Sequence, residues 1–186
     1  MMLKGKTQSM FSTNDRLPET LSPRVGFLLN LCNAGIREMT KQALKALGLT
    51  PRHYGIIATL YGEGALPQQT IGGKIEIDRT SMVLLVDDLE KKSFVVRGIH
   101  PKDRRYHLIY LTSSGKKLFE KMDKLIEDVE EKFLVTLTSN EKEVLHSILI
   151  KLTKKNPSKA SPSAHSKPLK NANSQLIHKF KKRVVL

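Results

Sequence analysis

The residues of this chain best suited to chemistry stand in one block. Asp78-Arg-Thr-Ser81 opens a run in which Met82, Leu85, Val86 and Leu89 recur at helical spacing, so a helix extends from there to Lys92. Two β-rich stretches follow, Phe94-Val95-Val96 and residues 106–111. They flank a polar loop that holds His100-Pro-Lys-Asp-Arg-Arg105. Thr112 then caps another helix. Helix, basic hairpin and helix cap, in that order, describe the second helix of a helix-turn-helix and its β-wing. Such a device sets a helix in the major groove of duplex DNA with a basic loop beside it. Arg79, Arg104 and Arg105 could also form a merely solvated charged surface, but a helix start and a hairpin tip are places from which DNA is touched.

Other chemistries find little support. No P-loop, GxSxG turn, metal pair or Cys/His nucleophile pattern is present, so an enzyme ranks last and no cofactor is expected. His53, His100, His107, His146, His165 and His178 lack ligand spacing, which argues against a metal site. Cys32 is the single cysteine; an internal disulfide is impossible, and a reduced cytoplasm fits best. It falls on an apolar stripe and reads as packing, with redox sensing as the alternative. Tyr54 and Tyr61 read either as core or as the lining of a pocket for a phenolic ligand.

Several elements must position this block. Ser22-Pro23 is a helix start, and Val25, Leu28, Leu29, Cys32, Ile36 and Met39 give a first helix over 23–46. Thr50-Pro51 opens a second helix with Tyr54, Ile56, Ile57, Leu60 and Tyr61 as its apolar positions. Leu66 is strand-like, and a short third helix over 67–75 is softened by Gly72-Gly73. A fifth helix over 113–135 carries Leu118, Met122, Leu125, Ile126, Val129 and Phe133. The capping box Thr138-x-x-Glu141 opens a sixth.

The chain has 186 residues and a net charge of +14, and the placement of that charge matters. Residues 154–186 hold nine Lys or Arg and no acidic residue, leaving 23 basic against 18 acidic residues in 1–153. The folded part is only mildly basic, whereas the tail seeks polyanions. No apolar run reaches the ~20 residues of a membrane span, and no signal peptide is expected at the start.

Leu47-Gly-Leu-Thr-Pro51, Asp78-Arg-Thr-Ser81, Leu89-Glu-Lys-Lys92, Arg97 with Asp103-Arg-Arg105, Leu111-Thr-Ser-Ser-Gly115 and Leu137-Thr-Ser-Asn-Glu141 follow one another with characteristic spacing. In this the chain resembles the multiple-antibiotic-resistance regulator (MarR) family of winged-helix transcription factors. The resemblance implies a mainly α fold with a small β-hairpin, a winged helix-turn-helix flanked by long N- and C-terminal dimerisation helices. It divides the chain into a flexible 1–20, a winged-helix domain over 21–155 and a disordered basic tail over 156–186. Within the domain, a DNA-binding lobe spans about 50–112, and helices over 22–46 and 113–153 dimerise.

By matching positions, Arg79, Thr80 and Ser81 would meet the major groove. Asp103 would orient the wing arginines by an ion pair, with Arg97 as a second wing-orienting residue. Arg104 or Arg105 would reach the minor groove, and Lys102 and the tail would meet phosphates. The implied partners are a pseudo-palindromic DNA operator, a second copy of the chain and a small-molecule effector, with no membrane. Some relatives sense peroxides through a first-helix cysteine nearer the helix start than Cys32. The chain also departs from the pattern. Leu84 and Asp88 stand where polar or basic residues are usual on the groove side. Glu76 and Ser93 replace glycines. Two functions follow: a dimeric cytoplasmic regulator, a repressor released by a small molecule or stress, or a sequence-tolerant architectural DNA binder driven by its tail.

Overall fold

The structure, a computed structural model, describes residues 17–100 and 103–155; for 100, 103–106 and 155 it describes the backbone alone. Six helices and one hairpin follow in the order α1 (Val25–Lys45), α2 (Pro51–Glu63), α3 (Gln68–Lys74), α4 (Arg79–Lys91), β1 (Val95–His100), β2 (Asp103–Leu111), α5 (Ser113–Phe133) and α6 (Ser139–Lys155). This is the mainly helical, winged helix-turn-helix architecture expected. Tail residues 156–186 and residues 1–16 lie outside the described residues.

The core lies where α2, α3, α4, the hairpin and α5 converge. Ile56, Ile57 and Leu60 of α2 meet Ile71, Met82, Val86, Leu89, Val95, Ile109, Phe119 and Met122, all buried. Leu66 pairs with Ile109 as an isolated antiparallel bridge, so the strand-like residue forms a third edge beside the hairpin. α1 contributes Leu44 at its end but leaves Val25 and Leu29 exposed. α6 buries no residue within the chain, and Val144, Ile148, Leu149 and Leu152 remain exposed.

Two expectations need correction. α1 begins at Val25, not Pro23: Leu21 and Ser22 N–H donate to Pro18 O and Arg24 N–H to Leu21 O, so the chain before Val25 is wound in turns, and Arg24 takes the cap position without a side-chain bond. Gly72 of α3 also has a packing role. An added Cβ would stand 2.9 Å from the Ile77 carbonyl oxygen and 3.0 Å from Met82 Cγ, so the glycine lets α3 lie against α4. Finally, the hairpin reaches farther than its apolar residues suggest. β1 continues through Arg97 to His100 and β2 starts at Asp103, with a register shift between Ile99 and His100. Arg104 and Arg105 therefore lie on a strand, because backbone pairing tolerates any side chain that can point to solvent.

Two helices end in the same way. Phe94 N–H donates to Leu89 O (2.9 Å) and Ser93 N–H to Glu90 O (2.8 Å), a Schellman end whose left-handed residue is Ser93, at φ 61°. At α3, Ile77 N–H donates to Gly72 O (2.9 Å) around Glu76, at φ 55°. Glycine suits this backbone; a Cβ strains it.

The Ser93 turn also receives α5. Thr112 Oγ1 donates to Ser93 O (2.8 Å) while accepting from Gly115 N–H (3.0 Å), and Ser114 Oγ donates to Ser93 O (2.7 Å). Gly115 is packed so tightly here that a Cβ would sit 2.2 Å from the Phe94 carbonyl oxygen.

We therefore expect Ser93→Gly to stabilise the fold by about 1 kcal/mol, less the entropy that glycine adds to the unfolded chain. A denaturation midpoint that falls, as the added entropy alone would make it, would refute strain at this turn. Gly115→Ala should cost at least ~1–3 kcal/mol by overpacking, read in the same experiment.

Candidate nucleic-acid interface

α4 presents two faces. Met82, Val86 and Leu89 point into the core, while Thr80, Leu84, Asp87 and Lys91 lie on the opposite, exposed side. Asp78 caps the helix: its carboxylate accepts from Ser81 N–H at 2.9 Å, and this bond holds it below the usual carboxylate range. Arg79 and Thr80 follow at the first exposed turn, with Ser81 half-buried beside them.

The wing is bound to this helix by charge. The Arg97 guanidinium pairs with both Asp87 and Glu90 of α4, and its backbone N–H donates to Glu90 Oε1 at 2.8 Å. Arg97 finds these partners because its β1 position lies alongside α4. Each pair is partly exposed and worth little alone, ~0–1 kcal/mol. Two acids on one planar guanidinium nevertheless set an angle between strand and helix. Lys102 and the side chains of Asp103, Arg104 and Arg105 lie outside the described residues.

Asp88 also needs correction. Instead of facing a groove as a bare charge, it accepts from Lys92 Nζ (2.6 Å), which also donates to the Gly48 carbonyl (3.1 Å). Lys92 holds the Asp88 carboxyl below its usual range. Its other neighbour is His53, whose Nε2 lies 3.3 Å away without hydrogen-bond alignment. His53 in turn closes the α2 start: Thr50 N–H donates to His53 Nδ1 (3.1 Å), so the ring proton resides on Nε2. The loop before α2 is thereby tied to the far end of α4.

Burial holds the His53 imidazole below its ordinary value, against the pull of Asp88 and aided by Lys92. Protonation would also turn Nδ1 into a donor facing the Thr50 N–H. A lowered folded-state value means that the unfolded chain binds the proton first. The contribution is complete above the unfolded value of about 6.5 and declines as pH falls below it.

Tyr54 and Tyr61 both stack on Phe119, with ring centroids 6.3 Å and 4.0 Å away. Tyr54 also donates to Asp123 Oδ1 at 2.9 Å, and burial followed by this bond pushes its phenol well up. The tyrosines thus lie along the seam between α2 and α5. A separate open cleft of about 400 Å³ is lined by Asn30, Asn33, Ala34, Arg37, Glu38, Lys41 and Pro51 and includes neither tyrosine. Cys32 is exposed, not core, because the N-terminal half of α1 has too little packed on it within one chain.

Residues 49–107, the segment that builds α2, α3, α4 and most of the wing, match the model of the MarR family. Over this segment the chain is similar to the MarR family. It is 26% identical over 119 residues to a putative transcriptional regulatory protein for the hcr operon of Thauera aromatica, covering 64% of this chain and 72% of that one. It spans 51–65% of the length of four further curated regulators that it matches. Its fold is similar to that of CouR from Rhodococcus jostii RHA1 bound to p-coumaroyl-CoA, with TM-score 0.66 and 25% identity over 80% of this chain and 100% of that one. It also matches a MarR variant from E. coli complexed with operator DNA, with TM-score 0.63 and 20% identity over 73% of this chain and 99% of that one. These relatives are transcriptional regulators, not enzymes. Among the described residues, no helix is long and apolar enough to cross a membrane.

The chief residues missed in the sequence are Asp87, Glu90 and Phe119. All three repeat at helical spacing with residues already singled out, and Phe119 stands one turn before Met122. From about pH 7 to about pH 5.5 we expect the thermal midpoint to fall in part through His53; His53→Gln, which can still accept from Thr50 N–H, should lose that part of the slope. Identical pH slopes for the two proteins would remove His53 from the account.

Proposed function

We propose that this MarR-family regulator acts as a dimer on a pseudo-palindromic operator. Each subunit sets α4 in a major groove and its wing in the adjacent minor groove, with half-sites about one helical turn apart. The observation that carries this reading is the exposed face of α4 beginning with Arg79 and Thr80, held at a set angle to the wing by the Arg97 bridge to Asp87 and Glu90. Arg104 or Arg105 would enter the minor groove, and Lys102 and the basic tail would contact phosphates.

A dimer is supported by the apolar residues that one chain leaves exposed on α6 and at the start of α1. They are separate in sequence, and burying them against a second copy is favourable by roughly 25 cal/mol per Å² of apolar surface. The regulator would be a repressor released by a small molecule. An effector that binds better to a dimer with badly spaced α4 helices lowers DNA affinity by that differential affinity. The aromatic seam of Tyr54, Phe119 and Tyr61 is where such an effector would couple α5 to the DNA-binding lobe. The relative bound to p-coumaroyl-CoA gives a precedent for aromatic effectors.

Selection of genomic fragments on the full-length protein at near-physiological salt tests the reading. Enrichment of one pseudo-palindrome is expected. Uniform recovery that collapses with added salt would instead favour a sequence-tolerant binder driven by its tail. Arg79→Ala should weaken binding to the recovered operator by ~1–3 kcal/mol, and unchanged affinity would take the start of α4 out of the interface.

A further inference from the structure

We propose that Leu84 is a specificity residue that reads the C5-methyl group of a thymine in the major groove. The inference rests on the DNA-binding reading above. Leu84 is 67% exposed in the middle of α4, one turn beyond Thr80 and opposite the buried Met82, Val86 and Leu89. A lone exposed leucine is ordinary on a protein surface. This one differs in its surroundings.

Toward the helix end the exposed Asp87 and the half-buried Asp88 follow, and both acids are engaged from within the chain. Asp87 is paired with Arg97, and Asp88 with Lys92. The face that would meet DNA is therefore not a bare negative surface. It offers a base, a hydroxyl and an aliphatic group in succession along one and a half turns of helix: Arg79, Thr80 and Leu84.

Leucine has no donor or acceptor, so it reads none of the hydrogen-bonding pattern of a base edge. Of the four base pairs only those with thymine place a methyl group in the major groove, and apolar side chains are its natural contact. Burying one methyl is worth about a fourfold change in affinity. The exposed leucine is thus a selective element at a site where a polar side chain would read a different base.

The test uses the full-length protein and the operator recovered by selection. Each thymine is replaced in turn by deoxyuridine, which removes only the methyl. One position per half-site should lose about three- to fivefold in affinity with the unaltered protein. Leu84→Ala should weaken binding to the normal operator by a similar factor and abolish the loss at that position alone. Leu84→Gln, which keeps the length and gains an amide, should lose the thymine preference there. Neither variant should shift the thermal midpoint, because the side chain is exposed.

If unaltered protein binds the operator but no thymine shows a methyl effect, Leu84 does not read one. The same holds if Leu84→Ala keeps the effect, or if it changes self-association and not the deoxyuridine profile. A pool from which no sequence is enriched would overturn the operator reading itself, and this proposal with it.

Discussion

The structure depends on how the chain turns at Ser93. There α4 ends, β1 begins, and the returning end of β2 hands over to α5. The Ser93 and Phe94 carbonyls accept from Thr112, and the Ser93 carbonyl also accepts from Ser114, in the same few ångströms where Gly115 packs against Phe94. One left-handed serine thus sets the exit of α4, the root of the wing and the start of the longest helix beyond it. The strain at its φ is tolerated because three elements over-determine the turn.

Charge pairing gives the second constraint. α4 carries three acidic residues in its last two turns, an awkward content for a helix proposed to approach phosphates. The fold spends each on an internal task. Asp87 and Glu90 hold the wing through Arg97, and Asp88 links the helix through Lys92 to Gly48 and lies against His53. These contacts are partly exposed and do little for stability. Their use is geometric: they keep a helix, a strand and a loop at defined angles, and they remove repulsion from the face that carries Arg79 and Thr80.

Much of the fold was legible in the sequence. Periodic apolar residues marked the helices, Asp78, Thr112 and Thr138-x-x-Glu141 marked three of their starts, and Leu66 stood out as a strand-like residue that does pair with Ile109. What failed had a common cause. Periodicity says that a residue lies on an apolar stripe, not that something covers the stripe. Cys32 was therefore read as core although it is exposed, and the stripe of α6 gave no hint that one chain leaves it bare. Sequence also names charges without naming partners. The sequence shows Arg97 and the acids of α4 but not that they pair, and it gives Asp88 no partner. Only the approach of β1 and α2 to α4 determines where those side chains go. The packing role of Gly72 is likewise invisible in the sequence, because its close neighbours, Ile77 and Met82, belong to the next turn and the next helix.

The junction at Ser93 has a mechanical consequence. α5 is rooted there, and its 21 residues make a rod about 31 Å long. A tilt of roughly 5° at the distant end therefore displaces the root by about 3 Å, close to the rise of one base pair. α4 and the wing share that root, so a displacement there carries both, and the hydrogen bonds around one serine join the lever to its load.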